Sequence, residues 1–413
     1  MTTLFINIPQ LVGVHETNRI LRGKELAVLP VLQGAFLLVE DGIIAALGHM
    51  YELDIIVPNQ PINTIDVTGQ WVLPAWCDSH THLVFAKSRE AEFVDKIKGK
   101  TYAEIAANGG GILHSANVLA ETSEDELYRL GTIRLAEAAK MGTGAIEIKS
   151  GYGLTVAAEL KMLRVIKKLK QTSDLLIKSS FLGAHAFPLA FKEDHEGYIN
   201  TIIEEMLPAI AAENLADYVD VFCENGFFSV EEMQRICVAA AAYGLKPKLH
   251  VNQLNSIGGV MAGIELGAVS VDHLETMTDE DVASLAASDT IGTLLPTAAF
   301  FLRMAYQPAR KLIDAGAAIA IASDFNPGSS PSANMNFVIA LSCIQLKMLP
   351  EEAINAATIN GAFAMEVQNL AGSITVGKRA NLIFTKPIPS IAYLPYSFGN
   401  NLIDKVMING IFI

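Results

Sequence analysis

The sequence predicts an α/β fold: a closed (β/α)8 barrel of the TIM type, carrying a small β-sandwich-like domain formed by both chain ends. Three observations point there. Eight short, nearly all-apolar runs alternate with helical stretches. Those runs span the length such a barrel needs. Both chain ends share a strand-and-turn texture that the middle lacks. Apolar strands alternating with helices make a parallel sheet covered on both faces, and eight such units close a barrel of roughly 250 residues.

Taken in order, residues 1–70 read as strands and turns. LFINIPQLVGV, GAFLLVEDGIIAALG and TIDVTGQWVLP are branched and apolar, broken by Gly, Pro, Asp and Asn. Barrel strands are expected at 71–78, 144–149, 175–182, 218–223, 246–251, 269–274, 290–296 and 317–324. Between the second and third, Val156, Leu160, Leu163 and Ile166 recur at steps of four and three, the apolar face of a helix. The first interval is long. It holds a glycine triplet at 109–111 and a capping-box start at Ser123-Glu124-Asp125-Glu126, so an extended loop over the barrel mouth is expected. NLAGSITVGKRANLIFTK and NLIDKVMINGIFI return to strand texture at the C-terminal end. The expected division is therefore 1–70 with 366–413 against a barrel of 71–365. An early GxGxxG and a P-loop are both missing, which weighs against an open doubly wound sheet.

Composition narrows the function classes. The 413 residues carry a net charge of −14, with 51% hydrophobic and only 18% charged residues. That is too apolar for a disordered chain. The acidic balance argues against nonspecific binding to nucleic acid or to an anionic membrane. The four cysteines, Cys77, Cys223, Cys237 and Cys343, are too far apart for a close metal pair, and a reducing compartment is the default. The start MTTLFINIPQLV has neither the basic region nor the cleavage pattern of a signal peptide, and no apolar stretch reaches transmembrane length.

The sharpest chemical signal is DSHTHL at 78–83. His80 and His82 lie at i, i+2 after a strand, a spacing that puts both imidazoles on one face. His185, His250 and His273 also fall at or just beyond strand C-ends, and Asp324 closes the eighth strand. A barrel gathers those ends at one face, which predicts a metal centre of His80, His82, His250 and Asp324. Nitrogen and oxygen donors without thiolate suit Zn, Fe or Mn. Such an ion acidifies water and polarises a carbonyl. Asp324 would take the water's proton, with His273 as neighbouring base or electrostatic partner. Of the residues flanking His273, Asp272 is expected to be structural and Glu275 a solvated charge or helix cap. The fourth strand has no lysine to bridge two ions, and Lys149 is expected in an ion pair, so one metal is favoured.

DSHTHLVFAKSREAEF, IEIKSGYGL, FLGAHAFP, KLHVNQLNSIGG, VDHLE, SDFNPGSSPSANM and LPYSFGNN together resemble the amidohydrolase superfamily. Within it, the combination of HTHLVFA, KSGYGL, LGAHA and DFNPGSSP is similar to the family that opens the ring of 4-imidazolone-5-propanoate, giving N-formimidoyl-L-glutamate in histidine degradation. The resemblance covers nearly the whole chain. It implies a barrel with a β domain from both ends, one zinc or iron ion, and a cytoplasmic homodimer. It places metal ligands on His80, His82, His250 and Asp324, the catalytic histidine on His273, and substrate contacts on Arg89, Tyr152, His185, Gln253, Asn326, Gly328 and Ser329.

Each contact has a physical reading. Arg89 is a planar fork for the propanoate carboxylate. Tyr152 sits in a glycine turn, His185 could bond a ring carbonyl, and Gln253 can both donate and accept. The 326–329 turn offers amides to an anion. The chain departs from the family at Asn252, where an acidic residue is usual, and at Lys87, where glycine is common. A deaminase of free bases would use the same metal set but has little need of Arg89.

Overall fold

A computed structural model describes residues 2–100 and 111–413. The N-terminal strands are β1 (Thr2–Val12), β2 (Val31–Glu40), β3 (Ile43–His49), β4 (Thr64–Asp66) and β5 (Val72–Pro74). The central strands are β6 (Trp76–Asp78), β7 (Thr143–Lys149), β8 (Leu176–Ala184), β9 (Tyr218–Cys223), β10 (Lys246–Val251), β11 (Ser270–His273), β12 (Ile291–Leu294) and β13 (Ile319–Ile321). The chain ends with β14 (Leu382–Thr385), β15 (Ile403–Ile408) and β16 (Ile411–Phe412).

Strands β6 to β13 pair in chain order, each parallel to the next. The two ends of this sheet meet: Asp324 N–H donates to His80 O at 3.0 Å and His82 N–H to Phe325 O at 2.8 Å. These bonds lie just past the C-ends of β6 and β13, so closure itself brings His80, His82 and Asp324 together. Helices fill the intervals as expected. Leu160, Leu163 and Ile166 of helix Val156–Thr172 are buried. Ser123 caps helix Glu124–Lys140 by accepting from Glu126 N–H. The reciprocal half of the expected box is not made there, because the Glu126 carboxylate pairs with Arg129 instead.

The remaining strands form one sheet in the order β16-β15-β14-β5-β1-β2-β3, with β4 also on β1. Antiparallel β5–β14 pairing stitches the two chain ends together. The register of β1 breaks between Phe5 and Ile8, where Asn7 takes φ +57°. The strand bends there, and the sheet folds over until the Phe5 ring lies 5.0 Å from Phe384 and 6.0 Å from Phe412. A separate apolar core of Phe5, Ile8, Leu37, Val72, Leu382 and Phe384 fills the fold.

The expected single strand at 71–78 is two. Residues 72–74 belong to the end sheet and 76–78 to the barrel. Pro74 lacks an N–H and cannot continue a ladder, and Ala75 N–H turns to Asn381 O at 2.9 Å. The expected loop over the mouth contains helices Glu90–Ile97 and Gly111–Glu121. Of the glycine triplet, 109 and 110 lie outside the described residues.

The barrel interior departs from the usual stacked Val, Ile and Leu layers. Glu147 and Lys149 on β7, Asp220 on β9, Lys248 on β10, and Ser270 and Asp272 on β11 are all buried. Their i, i+2 spacing within β7, β10 (Lys248 and His250) and β11 is that of one strand face turned inward.

Candidate metal centre and substrate pocket

Six predicted residues converge on the floor of one cavity of about 720 Å³: His82, His185, His250, His273, Asp324 and Tyr152. His80 lies directly beneath, fully buried. His80, His82 and His250 offer ligand nitrogens within 4.8 Å of one another, and His80, His273 and Asp324 form a second such group. Asp324 Oδ1 lies 3.6 Å from both His80 Nε2 and His82 Nε2.

Two imidazoles are oriented from behind. His80 Nδ1 donates to Asp272 Oδ2 at 2.6 Å, and His250 Nδ1 to Asp220 Oδ2 at 2.9 Å. Each tautomer is thereby set, leaving Nε2 as a bare lone pair. His250 Nε2 faces His82 Nε2 at 3.3 Å. His80 Nε2 has no hydrogen-bond partner among the described residues, nor has His82 Nδ1. Burial, reinforced by Lys149 and by the crowding of imidazoles that cannot all be charged together, pushes His80, His82 and His250 well below the ordinary imidazole range, which favours their neutral form. Buried neutral nitrogens converging on a carboxylate, with one orphaned lone pair between them, fit a divalent cation.

The remaining polar groups divide by environment. Burial raises Asp324 to about 7, although the charge of His273 opposes this. Asp324 takes φ +51°, and Asp78 anchors the approach to it by accepting from Ser323 N–H and Oγ–H at 2.9 and 2.6 Å. Burial acts to lower His273, but the charge of Glu275, its hydrogen bond at 3.3 Å and the charges of Asp324 and Asp272 together leave His273 above its ordinary value. Glu275 is therefore no solvated charge. It is buried and also accepts from Gln307 Nε2 at 3.0 Å.

His185 is lowered to about 4 by burial. Its neutral ring has Nδ1 3.0 Å from Gly151 O. Facing a carbonyl, Nδ1 must carry the proton, so Nε2 can only accept. That suits a ring N–H, not the ring carbonyl expected for it. Tyr152 stays a neutral phenol, pushed up by burial and then by Asp324. Its glycine turn is real: Gly151 takes φ +111°, and the buried Glu159 carboxylate accepts from the N–H groups of Gly151, Gly153 and Leu154 at 3.1, 2.6 and 3.0 Å.

Arg89, Gln253, Asn326, Gly328 and Ser329 line the same cavity. Arg89 Nη2 pairs with Glu92 at 2.5 Å, while its buried Nε has no hydrogen-bond partner among the described residues. The 326–329 turn is differently built than expected. The N–H groups of Gly328 and Ser329 donate inward to Asn326 Oδ1 at 2.8 and 2.7 Å, so they are engaged by the turn itself. Asn252 Nδ2 donates to Thr276 O at 2.7 Å and Asp281 at 3.2 Å, pinning the loop after β11, and Lys87 is exposed.

Several partners were not singled out from sequence: Asp220, Glu159 and Gln307. Asp220 had a signal, a carboxylate midway along an otherwise apolar strand. The others lie on helices and loops, where an acidic or amide side chain carries no such contrast.

The comparisons with known proteins agree with this architecture. The amidohydrolase family model matches residues 71–412. The chain is 57% identical over 411 residues to the imidazolonepropionase of Flavobacterium johnsoniae, covering 99% of each chain. It is 55% identical to that of Christiangramia forsetii over the same share. Among solved structures, E. coli guanine deaminase superposes with a TM-score of 0.74 at 13% identity, over 100% of this chain and 99% of that one, which speaks for the fold. By whole-chain similarity and by the barrel built around its histidines, the chain belongs to the amidohydrolase family and, within it, to the imidazolonepropionases.

Proposed function

We propose that this chain hydrolyses the cyclic amide of 4-imidazolone-5-propanoate to N-formimidoyl-L-glutamate. The observation that carries the reading is a single cavity. Its floor holds a neutral His cluster with Asp324, and its wall holds Arg89, fixed through Nη2 by Glu92.

His80, His82, His250 and Asp324 would hold the ion. When bound, it supplies acidified water and polarises the ring carbonyl. Arg89, whose side chain lines the cavity, takes the propanoate carboxylate through its guanidinium, with Glu92 holding Nη2. Remote binding of that carboxylate aligns the ring. His185 Nε2 accepts from a ring N–H, and Tyr152 and Gln253 complete the polar contacts. The Asn326–Ser329 turn supports the wall behind Arg89. Asp324, a carboxylate beside the ion site, accepts a proton from the attacking water and delivers it to the departing ring nitrogen. His273, whose hold on a proton is strengthened by Glu275 and the nearby aspartates, stabilises the developing oxyanion.

Zinc or iron as the ion, a homodimer and a cytoplasmic location are the finer parts of the proposal. The N,O donor set supports the first, and a low charged fraction leaves room for an apolar interface. No helix among the described residues is long and apolar enough to cross a membrane. Elemental analysis and light scattering measure the first two. The activity is tested with freshly generated imidazolone propanoate and metal-loaded protein. Rapid decay of the ultraviolet absorbance is expected, and decay no faster than in buffer sinks the reading.

A further inference from the structure

Beneath the His cluster the barrel holds a closed ring of buried charges that the reaction does not use directly. Lys149 is wholly buried. Its Nζ lies 2.7 Å from Glu147 Oε1, 2.9 Å from Asp220 Oδ2 and 3.7 Å from Asp272 Oδ2. The last two oxygens are the same atoms that accept from His250 Nδ1 and His80 Nδ1. One ammonium thus touches both carboxylates that set the histidine tautomers. A second path runs around the ring. Lys248 Nζ lies 3.3 Å from Glu147 Oε2 and donates to Ser270 Oγ at 2.7 Å, and Ser270 Oγ–H donates to Asp272 Oδ1 at 2.6 Å.

We propose that Lys149 is a positioning residue for metal binding: a shared counterion that holds Asp220 and Asp272 in place and, through them, aims His250 and His80 at one ion. The inference rests on the metal reading of those histidines. Two carboxylates facing a dry interior repel each other and are costly to bury without a cation between them. With Lys149 gone, they relax by turning away from each other. That movement weakens the bonds that present the two Nε2 lone pairs. A cation also repels a metal ion directly, so the two effects have opposite signs. The contacts decide between them. Lys149 is in direct contact with Asp220, whereas any ion at the Nε2 side is separated from it by the full depth of an imidazole. Orientation therefore outweighs repulsion, and removing the lysine weakens metal binding.

Lys149→Met keeps the length and removes the charge. Glu147→Gln/Lys149→Met also keeps the net charge of the interior, and it carries the test if the single variant folds poorly. Zinc dissociation constants are measured by chelator competition on full-length protein, with far-ultraviolet circular dichroism to confirm folding. Loss of an outer partner of this kind typically costs 10- to 100-fold in affinity, and that weakening is expected in both variants. A folded variant that binds zinc within twofold of the unaltered protein, or more tightly, overturns the proposal and leaves Lys149 as interior packing. His80→Ala run alongside separates the two readings. If it retains zinc, the ligand assignment itself is wrong. If it loses zinc while Lys149→Met does not, only the positioning role fails.

Discussion

Gly328 offers a sharp test of how the cavity recognises a carboxylate. An ideal Cβ at this position falls 2.4 Å from Arg89 Nη1 and 3.0 Å from Arg89 Cζ. Gly328 is not among the positive-φ glycines, so alanine suits its backbone and only the contact is at issue. The guanidinium cannot simply swing aside, because Glu92 grips Nη2 at 2.5 Å and the Arg89 side chain is 12% exposed. In Gly328→Ala it must move by about 1 Å to restore an ordinary contact, enough to break one charged hydrogen bond to the substrate. Such a bond contributes about 1.5–3 kcal/mol, which corresponds to a rise in KM of roughly 10- to 150-fold. The change in kcat is expected to be smaller, because the contact proposed for the arginine is with the tail and not with the reacting carbon. Initial rates from ultraviolet decay give both constants, and thermal melting shows whether the fold is kept. In an Arg89→Ala background, which itself has a raised KM, the glycine substitution should add little. A KM within twofold of the unaltered enzyme refutes the steric argument. An equal rise in the Arg89→Ala background shows instead that Gly328 meets the substrate itself.

Two further outcomes follow from the site. His80→Ala should abolish both stoichiometric metal and turnover, read by elemental analysis and the same optical assay, and a fully active variant would remove His80 from the ligand set. His185 is held near 4 in the folded chain against an ordinary 6.5. A histidine depressed by folding leaves stability intact above about pH 6.5 and erodes it as the pH falls toward 4, by about 1.4 kcal/mol per unit. In metal-free protein, His185→Asn should therefore gain about 2 kcal/mol relative to the unaltered chain between pH 7 and pH 5. Urea unfolding at the two pH values measures this, and a pH-independent difference means that the imidazole is not buried in its neutral form.

Much of this was legible before any coordinates. The strand alternation marks the barrel because a strand buried on both faces must be apolar throughout. HxH marks the metal site because i and i+2 share a strand face. Elsewhere, local pattern was a poor guide. VLPAWCD reads as one apolar run, and only the pairing of β5 with β14 and of β6 with β7 divides it at Pro74. Glu275 beside a histidine looks like surface charge, yet it is buried and accepts from Gln307, 32 residues away.

The sequence by itself determined the barrel, the joined chain ends and the candidate metal-binding side chains, since these follow from periodicity, spacing and residue chemistry. Tertiary structure alone decided which lone pairs point where. The neutral state of His80, His82 and His250, the accepting face of His185, the engaged amides of the 326–329 turn and the counterion role of Lys149 all depend on groups distant in sequence. The physical reason is that tautomer and charge respond to burial and to atoms a few ångströms away, and only closure of the barrel brings those atoms together.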